Sequence, residues 1–287
     1  MPKSITIDML KSLVKPRPED GHKGTFGHAL LVAGCYGMAG ACVLAGKGCM
    51  RSGVGKLTVH IPRRNNDIMQ ISLPEAILHH DTGEMCWTSM PFDALGMVAY
   101  NAIGIGPGIG TTDETAEALH QLLLALKNSR MPMVVDADAL NILARNPEWF
   151  ELLPEGTIIT PHPLEYSRLK NAGVDMKDIT LVLKGHNTTI TQPNHTEPSY
   201  ICPWGNNGMG TAGSGDVLTG IILGLLAQGY STSEAAIMGV SLHALSGDIA
   251  AEELGQHSLI ASDLIENLHK AFKRILEVNG YGLWVNG

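Results

Sequence analysis

The chain has 287 residues, 44% hydrophobic and 17% charged, with a formal net charge of -8. That apolar content excludes a disordered chain, and the negative balance excludes the broad basic surface an extended DNA or RNA partner needs; a bound phosphate must be held locally, by backbone N–H groups and a few cations. Cys35, Cys42, Cys49, Cys86 and Cys202 include no CxxC pair and suggest neither a disulfide framework nor a structural zinc site, while the opening "MPKSITIDML" has no apolar core of a targeting segment. No run approaches the roughly 18 apolar residues of a membrane-spanning helix, so the expected setting is the cytoplasm, away from membranes.

In chain order, the runs "HALLVAG", "KLTVHIP", "AIGIGPG", "PMVVDAD", "TIITPHP" and "TLVLKG" read as strands separated by helical patterns. Such alternation predicts an α/β fold with a mainly parallel sheet covered by helices. Nearly every run ends in Gly, Pro, Asp or His, so turn-forming and polar residues gather at the carboxyl ends of the strands, the edge where open α/β sheets bind ligands. Residues 112–127 form an amphipathic helix whose stripe is Ala116, Leu119, Leu122, Leu123 and Leu126, capped by Thr111 or Thr112. Residues 192–199, "QPNHTEPS", read as a hairpin or loop tip. By contrast, Val217 to Leu226 is apolar on all sides, which predicts a helix inside the protein. Two further helices are expected at 233–254 and 262–276, and no linker or repeat divides residues 1–287, so one domain is expected.

The most informative stretch is "GNNGMGTAGSGDVLTGIILGLLAQG", residues 205–229, where a glycine-rich loop runs into the buried helix. The first amides of a helix lack intrahelical acceptors and lie at the positive end of its dipole, so the Ala212 to Gly215 turn forms an anion site. Asp216 then reads in two ways, as a helix cap or as a carboxylate beside a bound phosphate. Five glycines in eleven residues ahead of the helix favour the second, because such freedom is costly unless the backbone must approach something closely. No GK[ST] follows, so this is not a Walker A loop.

These residues resemble those of a known family. "GSGD" is similar to the GxGD signature of ribokinase-like kinases, and further segments resemble the ADP- or ATP-dependent NAD(P)H-hydrate dehydratases within that superfamily. The segments are "HKGTFGHALLVAG" with "YGMAGACVLAGKGCMRSGVGKLTVHIP", "GIGPGIG", "VVDADALNIL", "TPHPLE", "LKGHNT" and "GNNGMGTAGSGDVLTG", in order across most of the chain. The resemblance implies a ribokinase-like three-layer α/β/α sandwich and repair of hydrated NADH or NADPH. ADP phosphorylates the ring hydroxyl of the S hydrate, phosphate leaves, and NAD(P)H and AMP are released. ADP is favoured over ATP, with Mg²⁺ accompanying the nucleotide, and a homo-oligomer, often a tetramer, is implied.

Carried over by position, the resemblance makes Asp216 the catalytic base and a substrate contact. The amides of Gly213, Ser214 and Gly215 face the transferred group, and Lys184, Gly185, His186, Asn187 and Thr188 contact the AMP moiety. Ala41, Gly108 and His162 line the hydrated cofactor. His162 alone reads as a structural histidine; the flanking Thr160, Pro161, Pro163 and Glu165 favour the functional reading. Asp136, Asp138 and Asn141 fit either capping or organising Mg²⁺, with capping preferred for Asp138. Three features depart from the family pattern: Leu164 where glycine is usual, Asn207 in "GNNGM", and a short connection between "YSRL" and "TLVLKG" where the family has a longer helical excursion. Too few residues precede His22 for a fused epimerase, so a separate epimerase is expected in the same pathway. The rival readings are a small-molecule kinase for a vitamin precursor or sugar, and a non-catalytic nucleotide-binding module.

Overall fold

Among the residues described by the computed structural model, 1–91 and 99–277, ten strands form one sheet. They are β1 (Lys3–Ser4), β2 (His28–Val32), β3 (Lys56–Ile61), β4 (Ile77–His80), β5 (Ala102–Ile105), β6 (Met133–Val135), β7 (Thr157–Ile159), β8 (Thr180–Leu183), β9 (Thr189–Thr191) and β10 (Tyr200–Ile201). Their order is β1-β10-β9-β8-β7-β6-β5-β2-β3-β4. From β8 to β4 every pairing is parallel; only β9 runs against its neighbours, where β9 and β10 form the hairpin whose tip is 192–199.

Among the described residues, nine α-helices cover the two faces: α1 (Ile7–Leu13), α2 (Ala39–Arg51), α3 (Asn66–Ser72), α4 (Asp113–Leu126), α5 (Ala137–Arg145), α6 (Pro163–Asn171), α7 (Ser214–Ala227), α8 (Thr232–Leu254) and α9 (Ala261–Glu277). The buried residues fall into two clusters, one per face. Ala29, Leu31, Val134 and Ile158 pack toward α2, α7, α8 and α9, while Leu30, Val32, Val135 and Ile159 pack toward α4, α5 and α6. This alternation is the period of two that a strand imposes on side chains, and it makes the fold three layers thick. Helix α4 begins at the expected cap, where the Thr112 hydroxyl accepts from the Thr115 amide at 3.3 Å, and its apolar stripe is buried.

Helix α7 is enclosed on all sides. It touches α2, α8 and α9 as well as β2, β5 and β6, and Val217 through Ala227 are all buried. The approach to α2 is close enough to require glycine: a Cβ on Gly220 would lie 1.9 Å from the Ala45 carbonyl oxygen. The leading end of α7 is thereby held at the carboxyl edge of the sheet. At that edge the chain also reverses its winding, since β2 is flanked by β3 on one side and β5 on the other, and the loops after β2 and β5 are joined by Gly34 N–H donating to Pro107 O at 2.8 Å.

The connection from α6 to β8 is as short as its sequence suggests. Gly173, at φ +78, turns the chain after α6, and Val174 N–H donates to Leu169 O at 3.2 Å. Strand β8 then pairs with β7 without a further helix between them.

Gly220→Ala should separate α2 from α7 and lower unfolding stability by about 2 kcal/mol, in the range for overpacking a core. Gly40→Ala, where an added Cβ meets nothing within 4 Å, should be neutral. Urea midpoints of the two variants against the parent chain test this, and equal midpoints would refute the tight helix contact.

Candidate active site

Gly213, at φ +90, is the N-cap of α7, and an added Cβ there would meet Leu44 of α2 at 2.3 Å. A glycine cap contributes no side-chain acceptor, so the first amides of α7 depend on whatever else is near. Ser214 N–H donates to Thr211 O at 3.3 Å, which closes the turn. Among the described residues, the amides of Gly213, Gly215 and Asp216 have no acceptor. The open donors are therefore not quite the expected set, Ser214 being engaged and Asp216 taking its place.

A cavity of about 560 Å³ opens over this turn. Asp136, His162, Lys184, Ser214, Gly215 and Asp216 line it, joined by Gly185, His186 and Thr188 after β8 and by Trp204, Asn206 and Asn207. Its volume lies within the range of small-molecule sites. The sheet explains the convergence, since Asp136, His162 and Lys184 follow the adjacent parallel strands β6, β7 and β8.

The Asp216 carboxylate stands at the third position of α7 and has no hydrogen-bond partner among the described residues, so it does not cap its helix. Burial, and then the negative charge of Asp136, push its pKa up to about 6, against the pull of the Lys184 ammonium. A carboxylate left unsatisfied and partly neutralised can accept a proton, as a general base requires. Beside it the Lys184 Nζ donates to Asp136 Oδ1 at 2.8 Å, and the Thr219 hydroxyl of α7 donates to Asp136 Oδ2 at 2.7 Å.

His162 both caps α6 and lines the cavity. Its Nδ1 accepts from the amides of Leu164 and Glu165 at 3.0 and 3.3 Å, and Glu165 Oε2 accepts from His162 N–H at 2.9 Å, a reciprocal cap for α6. Because Nδ1 accepts, the ring proton sits on Nε2, and the same ring lines the cavity. Leu164 sits in the first turn of α6 with its side chain exposed, and Asn207 is part of the cavity wall.

Other expected residues lie elsewhere. Asn187 is exposed in the turn between β8 and β9 and is not among the cavity residues. Ala41 and Gly108 lie outside the cavity lining but beside each other, a Cβ on Gly108 falling 3.1 Å from Ala41 Cβ. They meet where α2 begins. Asp216 is close to that turn as well: burial raises the Cys42 thiol of α2, and the charge of Asp216 raises it further. Asp138 is corrected, for its Oδ2 accepts from Gly110 N–H at 2.9 Å and so ties α5 to the loop after β5 instead of capping its own helix.

Three contributors were not anticipated from the sequence. His243 of α8 lies against Ser214, with Nε2 2.9 Å from the Ser214 carbonyl; burial lowers its pKa to about 4 and keeps it neutral. Asp248 accepts from Gly205 N–H and Asn206 Nδ2, both at 2.9 Å, and so fixes the glycine-rich loop. Thr219 is the third. Only the Gly205–Gly210 loop carried a sequence signal; α8 is buried along most of its length and reads as core.

The carboxylates do not form a metal cage. Both Asp136 oxygens and one of Asp138 are engaged, and no group of three or more His, Cys, Asp or Glu able to hold a metal occurs among the described residues. A Mg²⁺ ion here fits only as one carried on nucleotide phosphates and water, which is how this ion is commonly held. No helix among the described residues is long and apolar enough to cross a membrane.

This arrangement, a parallel sheet with a glycine turn and an acidic residue at the head of a buried helix, is that of a ribokinase-like protein. A ribokinase-like superfamily protein from Enterococcus faecalis superposes with a TM-score of 0.79 at 27% identity, covering 95% of this chain and 96% of that one. The chain belongs to the NAD(P)H-hydrate dehydratase family, whose pattern matches residues 29–270. The Bacillus subtilis ADP/ATP-dependent NAD(P)H-hydrate dehydratase co-crystallized with ATP/Mg²⁺ is similar at TM-score 0.80 and 30% identity, over 95% of this chain and 98% of that one. The bifunctional NAD(P)H-hydrate repair enzyme of Coxiella burnetii is 36% identical over 273 residues, 89% of this chain and 52% of that protein. The chain thus spans about half the length of the bifunctional relatives it matches.

Asp216 has a pKa raised above that of an unfolded aspartate, so the folded state binds more protons between about pH 4 and 6 and loses stability as pH rises through that window. Asp216→Asn should therefore raise the melting temperature by a few degrees at pH 8, with the gain vanishing below about pH 4. Thermal melts of both proteins across pH test this, and a gain independent of pH would contradict the raised pKa.

Proposed function

We propose that this chain restores hydrated NADH and NADPH to their reduced forms at the expense of ADP. The observation that carries the reading is the unpartnered Asp216 carboxylate beside open helix amides and the Lys184 ammonium, all on one cavity. In the proposed reaction the ring hydroxyl of the hydrate attacks the β-phosphorus of ADP while Asp216 accepts its proton. The amides of Gly213, Gly215 and Asp216, with Lys184, offset the charge that builds on the transferred group, the main demand of phosphoryl transfer. AMP leaves first. The ring nitrogen's lone pair then expels phosphate, and loss of a proton from the adjacent ring carbon to water yields NAD(P)H.

The AMP portion is assigned to Gly185, His186 and Thr188, with Asn187 at the outer turn, and the hydrated cofactor to His162 and the Ala41–Gly108 side of Asp216. ADP, with Mg²⁺ carried on its phosphates, is the favoured donor. We further assign the chain to the cytoplasm as one domain in a homo-oligomer, a tetramer by family, working beside an epimerase that supplies the S hydrate.

Purified protein with ADP, Mg²⁺ and hydrated NADH should recover the absorbance of reduced nicotinamide near ~340 nm and release AMP. Asp216→Asn should lower turnover by ~10²-fold or more while nucleotide still binds. A stable phosphorylated product would instead support a small-molecule kinase. Absence of any reaction with either ADP or ATP would end the dehydratase reading.

A further inference from the structure

Asp136 stands at the N-cap of α5, where an aspartate ordinarily accepts from the amides of its own helix, yet its side chain makes no such bond. The side chain is turned into the protein, with Lys184 on one oxygen at 2.8 Å and Thr219 on the other at 2.7 Å, and the residue is 1% exposed. The backbone is shaped for this direction. Ala137, the next residue, takes φ +48, a left-handed conformation uncommon for alanine, and a Cβ at Gly106 would lie 1.8 Å from the Asp136 carbonyl oxygen. Strain of this kind persists where surrounding contacts over-determine the conformation.

One carboxylate thus links three elements: the end of β6, Lys184 at the end of β8, and Thr219 one turn inside α7. The result is a cation held over the open amides, for the Lys184 Nζ lies 3.1 Å from where a Cβ on Gly215 would stand. A lysine on a flexible stem near a polyphosphate would otherwise settle onto the ground-state charge. Interactions made equally in ground and transition states do not raise turnover.

We propose that Asp136 is a positioning residue that restrains Lys184, so that its ammonium is withheld from bound nucleotide and reaches the transferring phosphoryl group as charge develops there. This rests on the nucleotide-dependent reading above. It makes an unusual prediction, that removing the restraint tightens ground-state binding and slows turnover together.

Asp136→Asn keeps the side chain's shape and an oxygen for the Thr219 hydroxyl but removes the charge facing Lys184. Calorimetric titration should show ADP affinity, relative to AMP, rising about threefold or more, and steady-state rates at about pH 8.5 should show kcat falling about tenfold or more. The same substitution in a Lys184→Gln background should produce neither change, because Asp136 acts through that lysine. Thr219→Val, which loosens the tether from the α7 side, should shift both quantities in the same directions by a smaller factor and provides the test if Asp136→Asn fails to fold. Weaker or unchanged ADP binding in Asp136→Asn or Thr219→Val, or effects that persist in the Lys184→Gln background, would overturn the proposal. The binding arm needs no dehydration chemistry, so it decides the role of Asp136 even if the parent chain proves inactive on hydrated NADH and the dehydratase reading falls.

Discussion

Helix α7 is enclosed by α2, α8, α9 and three strands, and the remaining architecture of the site follows from how tightly that enclosure is made. With Gly220 set against the Ala45 carbonyl and Gly213 against the Leu44 side chain, α7 is seated against α2 at both its first turn and its middle. Its first turn is consequently fixed relative to the strand ends that carry Asp136, His162 and Lys184. Because the cap is glycine, it offers no side-chain acceptor to the leading amides, and the same residue that permits the close packing leaves those amides open. Stability and binding capacity meet in one requirement, that nothing larger than hydrogen occupies those α-carbons.

Three aspartates along the sheet edge show how environment decides what a carboxylate does. Asp81 is fully buried and receives bonds from His60, Gly83, Thr88 and Ser89; burial alone would raise its pKa, but those donors reverse the effect and hold it far below the usual range. It orders the loop after β4 and has no capacity left for chemistry. Asp136 is just as buried and uses one oxygen for a cation and the other for a hydroxyl. Asp216 has burial without donors, and its pKa rises to about 6 as a result. The acid with the fewest bonds is the one poised to exchange a proton near neutral pH.

The sheet was readable because each principal strand is a short apolar run closed by a turn residue, and the buried character of α7 was readable from its lack of a polar face. Both signals are local in sequence. Strands β1, β4, β9 and β10 lack that signature: Ile77–His80 is mostly exposed, and the other three are only two or three residues long. Long-range pairing escaped for a different reason. Nothing near Asp136 announces that Lys184 and Thr219 will take its two oxygens, and Asp138 looked like a cap because its true partner, Gly110, lies on another strand's loop. The glycine-rich stretch marked the turn that carries the open amides, but which of them stay open depends on the Thr211 carbonyl closing onto Ser214, a bond set by backbone angles and not by composition.

The placement of Ala41 and Gly108 outside the cavity bears on the role proposed for Asp216. This residue shares the cavity with the residues after β8 and the Lys184 ammonium, and its charge also acts on Cys42 in the first turn of α2, the helix whose Ala41 meets Gly108. On the proposed reading, a proton acceptor that serves two substrates has to face both, and a phosphoryl group passing between them must cross in front of the helix amides on the way. A carboxylate placed deeper in the cavity would reach the nucleotide alone, and one placed on α2 would lack the amides. On that reading the third position of α7 meets both demands, because a residue there adjoins the open amides of Gly213 and Gly215 and contributes its own. On the proposed reading, the spacing within Gly213-Ser214-Gly215-Asp216 is therefore a geometric requirement of transfer between two bound molecules, and lengthening the turn by one residue would separate the base from the charge it must work beside.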